Sequence, residues 1–363
     1  TPKVLWYHAI AMGLGVFVVA RGVRGIETAA RILMPTLFLM VIVLAIRALT
    51  LDGAERGLAF LFTPSWAELK DYRTWLEALT QNAWDTGAGW GLIVTYAIYM
   101  RRREDTALNS FLLGFGNNSV SLLAGIMVLC TIFSIMPDAA SEIVGAGNEG
   151  LTFIWIPQLF QQMPAGRFFM TLFFLALMFA AWTSLISMIE MATRVLMDGG
   201  MTRGRAIAVI GAAGFIFGIP SALRQNVFLN QDFIWGVGLM VSGLFFATAV
   251  LRYGVTKFRE TLINTEDSDI RIGRWWDWVM RFVVVEAIVL VIWWFWMEGG
   301  IAQALAGNWR ALFGTYGIGW AIVQWGAAIA VFLALNRWLV ARTEATEPVT
   351  EPVSKGGMPA SIP

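Results

Sequence analysis

Nine stretches of this chain are each long and apolar enough to cross a lipid bilayer, and that pattern decides most of what the chain can fold into. They lie near residues 4–21, 28–49, 74–101, 106–136, 167–197, 205–222, 231–252, 276–298 and 313–339. A spanning helix needs about 20 mostly apolar residues. Hydrocarbon offers no partner to a backbone N–H or C=O, so segments of this length must pair internally as helices. The stretches show no alternating strand pattern, and no short repeat joins them. The expected fold class is an all-α integral membrane protein, and composition agrees: only 14% of the 363 residues are charged, against about a quarter in soluble domains.

The basic residues orient these helices. With the connection after the first stretch placed inside, the inner segments hold Arg21, Arg24 and Arg31; Arg101, Arg102 and Arg103; Arg194, Arg203 and Arg205. They also hold Arg252, Lys257, Arg259, Arg271, Arg274 and Arg281, then Arg337, Arg342 and Lys355, which together make 18 of the 26 basic residues. Acidic residues gather instead in the outer connections at 52–72 and 138–149. The chain's N-terminus is therefore expected outside and its C-terminus in the cytoplasm. The first residue is Thr1 rather than Met, and a first span entered from outside fits a chain without an odd number of leading helices. Short inner loops suit a prokaryotic inner (plasma) membrane. The longer connections 51–72 and 137–166 mix apolar and polar residues at helical spacing, as structured outer loops over a cavity would. Residues 1–342 are expected to form one transmembrane domain, and the Pro-, Thr- and Glu-rich segment 343–363 a disordered cytoplasmic tail.

Several function classes drop out. A net charge of +1 without a basic face argues against nucleic acid. Cys130 and His8 are each the sole residue of their kind and sit in separate apolar helices, so an internal disulfide and a cysteine metal cluster are excluded, and a His-based metal site or Ser-His-Asp triad is not expected. No catalytic pair remains, and an enzyme is not expected.

Against this background QNAWDTGAGWG, residues 81–91, stands out. Glycine costs a helix roughly 1 kcal/mol relative to alanine, and a charge at mid-bilayer about 2.5–3.5 kcal/mol on insertion scales. Unwound backbone at membrane depth survives only where it is buried in protein or lines a cavity. Two half-helices meeting there present N–H groups and carbonyls, which transporters use for a substrate carboxylate and for cations. The natural break is Thr86-Gly87-Ala88-Gly89, with Thr74 to Asp85 before it and Trp90 to Arg101 after it. A close helix-packing face would explain the glycines but not Gln81, Asn82, Asp85 and Thr86 beside them.

At this point the sequence resembles the neurotransmitter:sodium symporter family, the leucine-transporter-like sodium-coupled amino acid transporters. RGVRGIETAARILMPTLFLMVIVLAIRALTL resembles the family's fourth-to-fifth helix junction and fifth helix. FLFTPSWAELKDYRTWLEALTQ resembles its third outer loop running into the sixth helix, and QNAWDTGAGWG falls on the unwound sixth helix. The likeness runs from about residue 4 to 339 and starts at the family's fourth helix. It implies a leucine-transporter-like inverted-repeat fold lacking the first three helices, with about nine spans, one of them unwound. The family's first helix supplies much of both sodium sites and of the substrate clamp, so about half of the expected site lies on this chain.

The resemblance also implies roles. Asn117 and Ser121 in GNNSVSLLAG, one helical turn apart, match a sodium-coordinating amide and a chloride-coordinating hydroxyl; Gln81 belongs to the same chloride-like position. Ala180, Thr183 and Ser184 in FAAWTSLISM match the eighth-helix half of the second sodium site, though a Thr-Ser pair in a membrane helix also back-bonds to its own carbonyls. Ser184 and Met188 would touch substrate, as would Trp84, Asp85, Gly87 and Trp90. Asp85 departs from the family's usual Ser or Thr. A fixed carboxylate there could ligate sodium and replace the charge chloride brings; it could also cap the second half-helix, couple a proton or anchor a substrate amine. Glu190 and Glu286 are further intramembrane acids. The implied activity is sodium-coupled symport of a small neutral amino acid, with sodium ions required and chloride not. The partners are the amino acid and the lipid bilayer, with a homodimer left open. The alternative is a non-transporting remnant or interaction subunit of a transporter.

Overall fold

The computed structural model describes residues 3–71, 74, 75, 77, 78, 81, 82, 86, 87, 89–100, 104–266 and 268–346. Among these residues eight continuous helices are long and apolar enough to cross a membrane. We number them in chain order, with a half-helix, α3, between the second and third: α1 (Lys3–Ala20), α2 (Gly22–Leu49), α3 (Leu92–Ala97), α4 (Thr106–Ile135), α5 (Gly166–Asp198), α6 (Arg203–Leu223), α7 (Gln225–Tyr253), α8 (Trp275–Met297) and α9 (Ile318–Thr346). Eight of the nine expected stretches thus become unbroken helices, and the ninth, 74–101, is the interrupted one. Helix α9 runs four residues past the expected domain end at 342.

Large side chains such as Phe217 and Leu333 stay 80% and 71% exposed on the outer faces, as expected of surfaces that meet lipid rather than water. The interior divides into packing groups. Met12, Val19, Leu33, Ile186, Ile189 and Ile207 join α1, α2, α5 and α6. Phe233, Ile234, Val237, Phe295 and Ala321 join α7, α8 and α9. The connection after α4 is indeed structured: its short helices bury Ile143, Ile156, Leu159 and Phe160 against Leu44 of α2, Ile132 of α4 and Phe173 of α5. The connection after α2 folds back as a helix, Ala54–Phe62, whose Gly57 lies so close to Cys130 that a Cβ there would meet its Cα at 2.6 Å.

At the opposite end, the basic connection 254–274 is held by two carboxylates. Asp277, in the first turn of α8, accepts from Arg259 Nε at 2.8 Å and from Thr256 Oγ1 at 2.8 Å. Asp105 caps α4 through the Leu108 amide at 2.9 Å and also accepts from the amides of Asp269 and Ile270 in the loop. The Leu108 amide, with the loop amides, holds the Asp105 carboxyl below the usual aspartate range, against the opposing effect of burial. The sign follows from linkage: a depressed folded value contributes stability at neutral pH that is lost as pH falls through it. Hydrogen exchange at Asp269 and Ile270, compared with the intrinsic rate at each pH, is expected to be strongly protected at neutral pH and to lose that protection in acid. In Asp105→Asn it should be fast already at pH 7, because the amide has one acceptor oxygen instead of two. Unchanged exchange in that variant would show that the loop is held elsewhere.

Candidate functional site

The backbone is interrupted slightly later than the expected 86–89: Thr86 is still helical, and left-handed glycines run on to Gly91, so the second half-helix starts at Leu92 and not Trp90. Gly87, Gly89 and Gly91 have φ of +67°, +84° and +78°, left-handed values that no continuous right-handed helix contains. Gln81, Asn82 and Thr86 are helical before it, with the Thr86 hydroxyl donating to the Asn82 carbonyl at 2.8 Å. Helix α3 then starts at Leu92 with Gly91 as its N-cap and ends at Ala97, shorter than the expected run to Arg101. Trp84 and Asp85 lie outside the described residues, as do Ala88 and Arg101. The Trp90 ring lies over the open side of Gly87, 3.5 Å from where a Cβ would be.

The broken segment is held on two sides by different packing groups. On one side Gly89 lies against α7, where the Ser242 hydroxyl donates to the Gly89 carbonyl at 2.7 Å. On the other, Tyr96 and Tyr99 are bound to α5. The Tyr96 hydroxyl is 2.6 Å from Ser187 Oγ, and the Tyr99 hydroxyl donates to Glu190 Oε1 at 2.6 Å. Glu190 is fully buried and also receives Arg203 of α6 in a two-pronged contact, at 3.0 and 2.7 Å. The same guanidinium donates to the Val19 carbonyl at the end of α1, at 2.9 Å. This intramembrane acid is therefore held in an ion pair. The Glu190–Arg203 pair thus links α5 and α6 to the end of α1, through the Val19 carbonyl, and to Tyr99 just past α3.

A cavity of about 330 Å³ opens between α2, α3 and α5. Ile26, Leu33 and Ile186 give it an apolar wall, and Tyr96, Tyr99, Thr183 and Ser187 line its polar side. Among the described residues expected to hold sodium, Thr183 reaches it. Its hydroxyl donates to the Ala180 carbonyl at 2.8 Å, and Ser184 Oγ leans on the same carbonyl at 3.3 Å from a more exposed position. Two hydroxyls and a carbonyl therefore lie within one helical turn, each hydroxyl keeping lone pairs free. This is a neutral, hard-oxygen donor set, and the residues present fit an alkali cation. Met188 sits half-buried one turn further along α5.

Asn117 and Ser121 occupy α4 and do not line that cavity. The Asn117 side-chain nitrogen is buried without a hydrogen-bond partner among the described residues. Gln81 is exposed at the start of the interrupted segment. The structure thus joins Thr183 to the tyrosines of α3 and leaves the α4 pair apart from them. Tyr96, Tyr99, Ser187 and Ser242 were missed at the sequence level. One signal was available for the first three: tyrosines three residues apart face Ser187 and Glu190, also three apart, as neighbours on helix faces do.

A bundle of membrane-length helices around one glycine-broken, polar-lined segment has the architecture of a secondary transporter. The sodium:neurotransmitter symporter family model matches residues 3–343, and the chain belongs to that family. It is 30% identical over 299 residues to YhdH of Bacillus subtilis, an uncharacterized sodium-dependent transporter, covering 78% of this chain and 64% of that one. An uncharacterized sodium-dependent transporter of Methanocaldococcus jannaschii is 28% identical over 291 residues, 77% of this chain and 59% of the relative. The mouse sodium- and chloride-dependent neutral and basic amino acid transporter B(0+) is 26% identical across 77% of this chain and 46% of its own. Among solved structures, MhsT in complex with L-phenylalanine superposes with a TM-score of 0.64 at 29% identity, covering 79% of this chain and 67% of that chain. The chain spans about half to two thirds of the length of the curated relatives it matches.

Proposed function

We propose that this protein is a sodium-coupled symporter of a small neutral amino acid, working by alternating access around residues 85–89. The observation that carries the reading is the helix break with three left-handed glycines in a member of this family. The structure of MhsT with L-phenylalanine supports an amino acid as substrate. Trp84, Asp85, Gly87, Trp90, Ser184 and Met188 would hold it, the exposed backbone at Gly87 allowing close approach. Sodium would be held by Asp85, Asn117, Ala180, Thr183 and Ser184. Asp85 supplies the fixed charge that removes the need for chloride at the Gln81–Ser121 position. The protein works in a prokaryotic inner membrane, with the C-terminus of the chain cytoplasmic.

The test is uptake of radiolabelled neutral amino acids into proteoliposomes holding the protein as its native gene encodes it, with inward sodium and with chloride replaced by gluconate. Saturable, sodium-dependent, chloride-independent uptake is expected. Thr183→Ala should raise the sodium concentration for half-maximal uptake by about tenfold or more, as loss of one oxygen ligand at a cost of about 1.4 kcal/mol would. Asp85→Ala should restore a requirement for chloride. Uptake indifferent to sodium overturns the reading and favours an interaction subunit; unchanged sodium affinity in Asp85→Ala removes that residue from the site.

A further inference from the structure

Serine and threonine hydroxyls inside membrane helices ordinarily donate to their own helix, four residues back. Thr248 of α7 does so, to the Leu244 carbonyl at 2.7 Å, as do Thr131 and Ser119 of α4. Ser242 does not. Its hydroxyl leaves α7 and donates across to the Gly89 carbonyl, 153 residues away in sequence, at 2.7 Å. The approach is as close as backbone allows: a Cβ on Gly89 would stand 2.4 Å from the Leu239 carbonyl oxygen and 2.7 Å from the Gly243 nitrogen. The Gly89 carbonyl belongs to unwound backbone, where no following turn offers it an amide, and an unpaired buried carbonyl is costly. The Ser242 hydroxyl supplies the partner that the break removed.

We propose that Ser242 is a positioning residue for the transport site: by fixing the Gly89 carbonyl to α7, it sets the direction in which the neighbouring carbonyls and N–H groups of the break face a bound amino acid. This rests on residues 85–89 being the substrate site. Gly89 is held by α7 and the Tyr96 hydroxyl, seven residues on, by α5, so the break and the half-helix that follows it are tied to both packing groups. Without the hydroxyl the Gly89 carbonyl must rotate to find another donor. The site is then mis-set in its resting state, while the steps that follow binding keep their own contacts.

The experiment compares Ser242→Ala and Ser242→Thr in the same proteoliposomes, following initial uptake across amino acid concentration, with Thr183→Ala run in parallel. Ser242→Ala is expected to raise the half-saturating amino acid concentration about tenfold while maximal rate stays within about twofold. Ser242→Thr, which keeps the donor, should return half-saturation to within about threefold of the parent. Equal loss in both variants, or failure of both to accumulate in the membrane, makes Ser242 a packing residue and overturns the proposal. So does an unaltered half-saturation in Ser242→Ala, or a fall confined to maximal rate. Should Thr183→Ala leave sodium dependence untouched while Ser242→Ala and Ser242→Thr behave as expected, the sodium-site reading falls and the positioning role stands.

Discussion

Arg203→Ala is expected to destabilise the folded bundle by about 3–5 kcal/mol, the usual cost of removing one partner from a buried ion pair. The reason lies in what remains. Glu190 is fully buried, and without the guanidinium its carboxylate keeps, among the described residues, the Tyr99 hydroxyl alone, while the Val19 carbonyl loses the arginine donor. Charged pairs of this kind are often neutral against an apolar replacement of both partners, so Glu190→Leu combined with Arg203→Met should recover most of the loss. The check is the thermal midpoint of detergent-solubilised protein, followed by size-exclusion after heating. If the double variant is as unstable as Arg203→Ala, the damage comes from lost packing of the arginine stem rather than from a stranded charge.

Gly89→Ala and Gly87→Ala are expected to separate crowding from backbone strain. Both positions have left-handed φ, which costs a residue with a Cβ about 1–2 kcal/mol. At Gly87 the new methyl finds ordinary contact with the Trp90 ring at 3.5 Å, so strain is the whole effect. At Gly89 it strikes the α7 backbone, which cannot move aside as a flexible side chain would. Overpacking adds about 1–3 kcal/mol, for a total of about 2–5 kcal/mol. Thermal midpoints of the two variants, measured together, should therefore differ clearly with Gly89→Ala lower. Equal midpoints would mean that α7 does not press on the break.

The two experiments concern features of different legibility. The spans could be read from sequence because a window of about 20 apolar residues is a strong, local signal, and the break because glycine and polar residues are conspicuous inside one. Thr183 could be placed beside a cavity only through the family resemblance, since its own hydroxyl, back-bonded to Ala180, behaves like any threonine in a membrane helix. The bonds that hold the broken segment were hidden for another reason. Tyr96 and Ser187 are 91 residues apart, and Ser242 and Gly89 are 153 apart. In a chain this apolar a tyrosine or a serine is locally indistinguishable from one that faces lipid or bonds to its own helix. Asp105 shows both sides: an aspartate just before an apolar run reads as a helix cap, but nothing local says that its second oxygen holds a loop more than 160 positions downstream. Pairings of that range are settled by packing, which a linear pattern does not record.

The Glu190–Arg203 pair also has a history during synthesis. Val19 and Tyr99 are made before Glu190, and Arg203 follows it by only 13 residues. At about 5–20 residues per second, that interval is on the order of a second. The acid therefore reaches the membrane with its hydroxyl partner already present and its counter-charge next in line. Glu190 and Arg203 can enter with the α5–α6 hairpin as a closely spaced neutral pair instead of two separately inserted charges. The short turn between the helices thus has a temporal use, because a longer connection would leave the carboxylate waiting alone at the translocon for correspondingly longer.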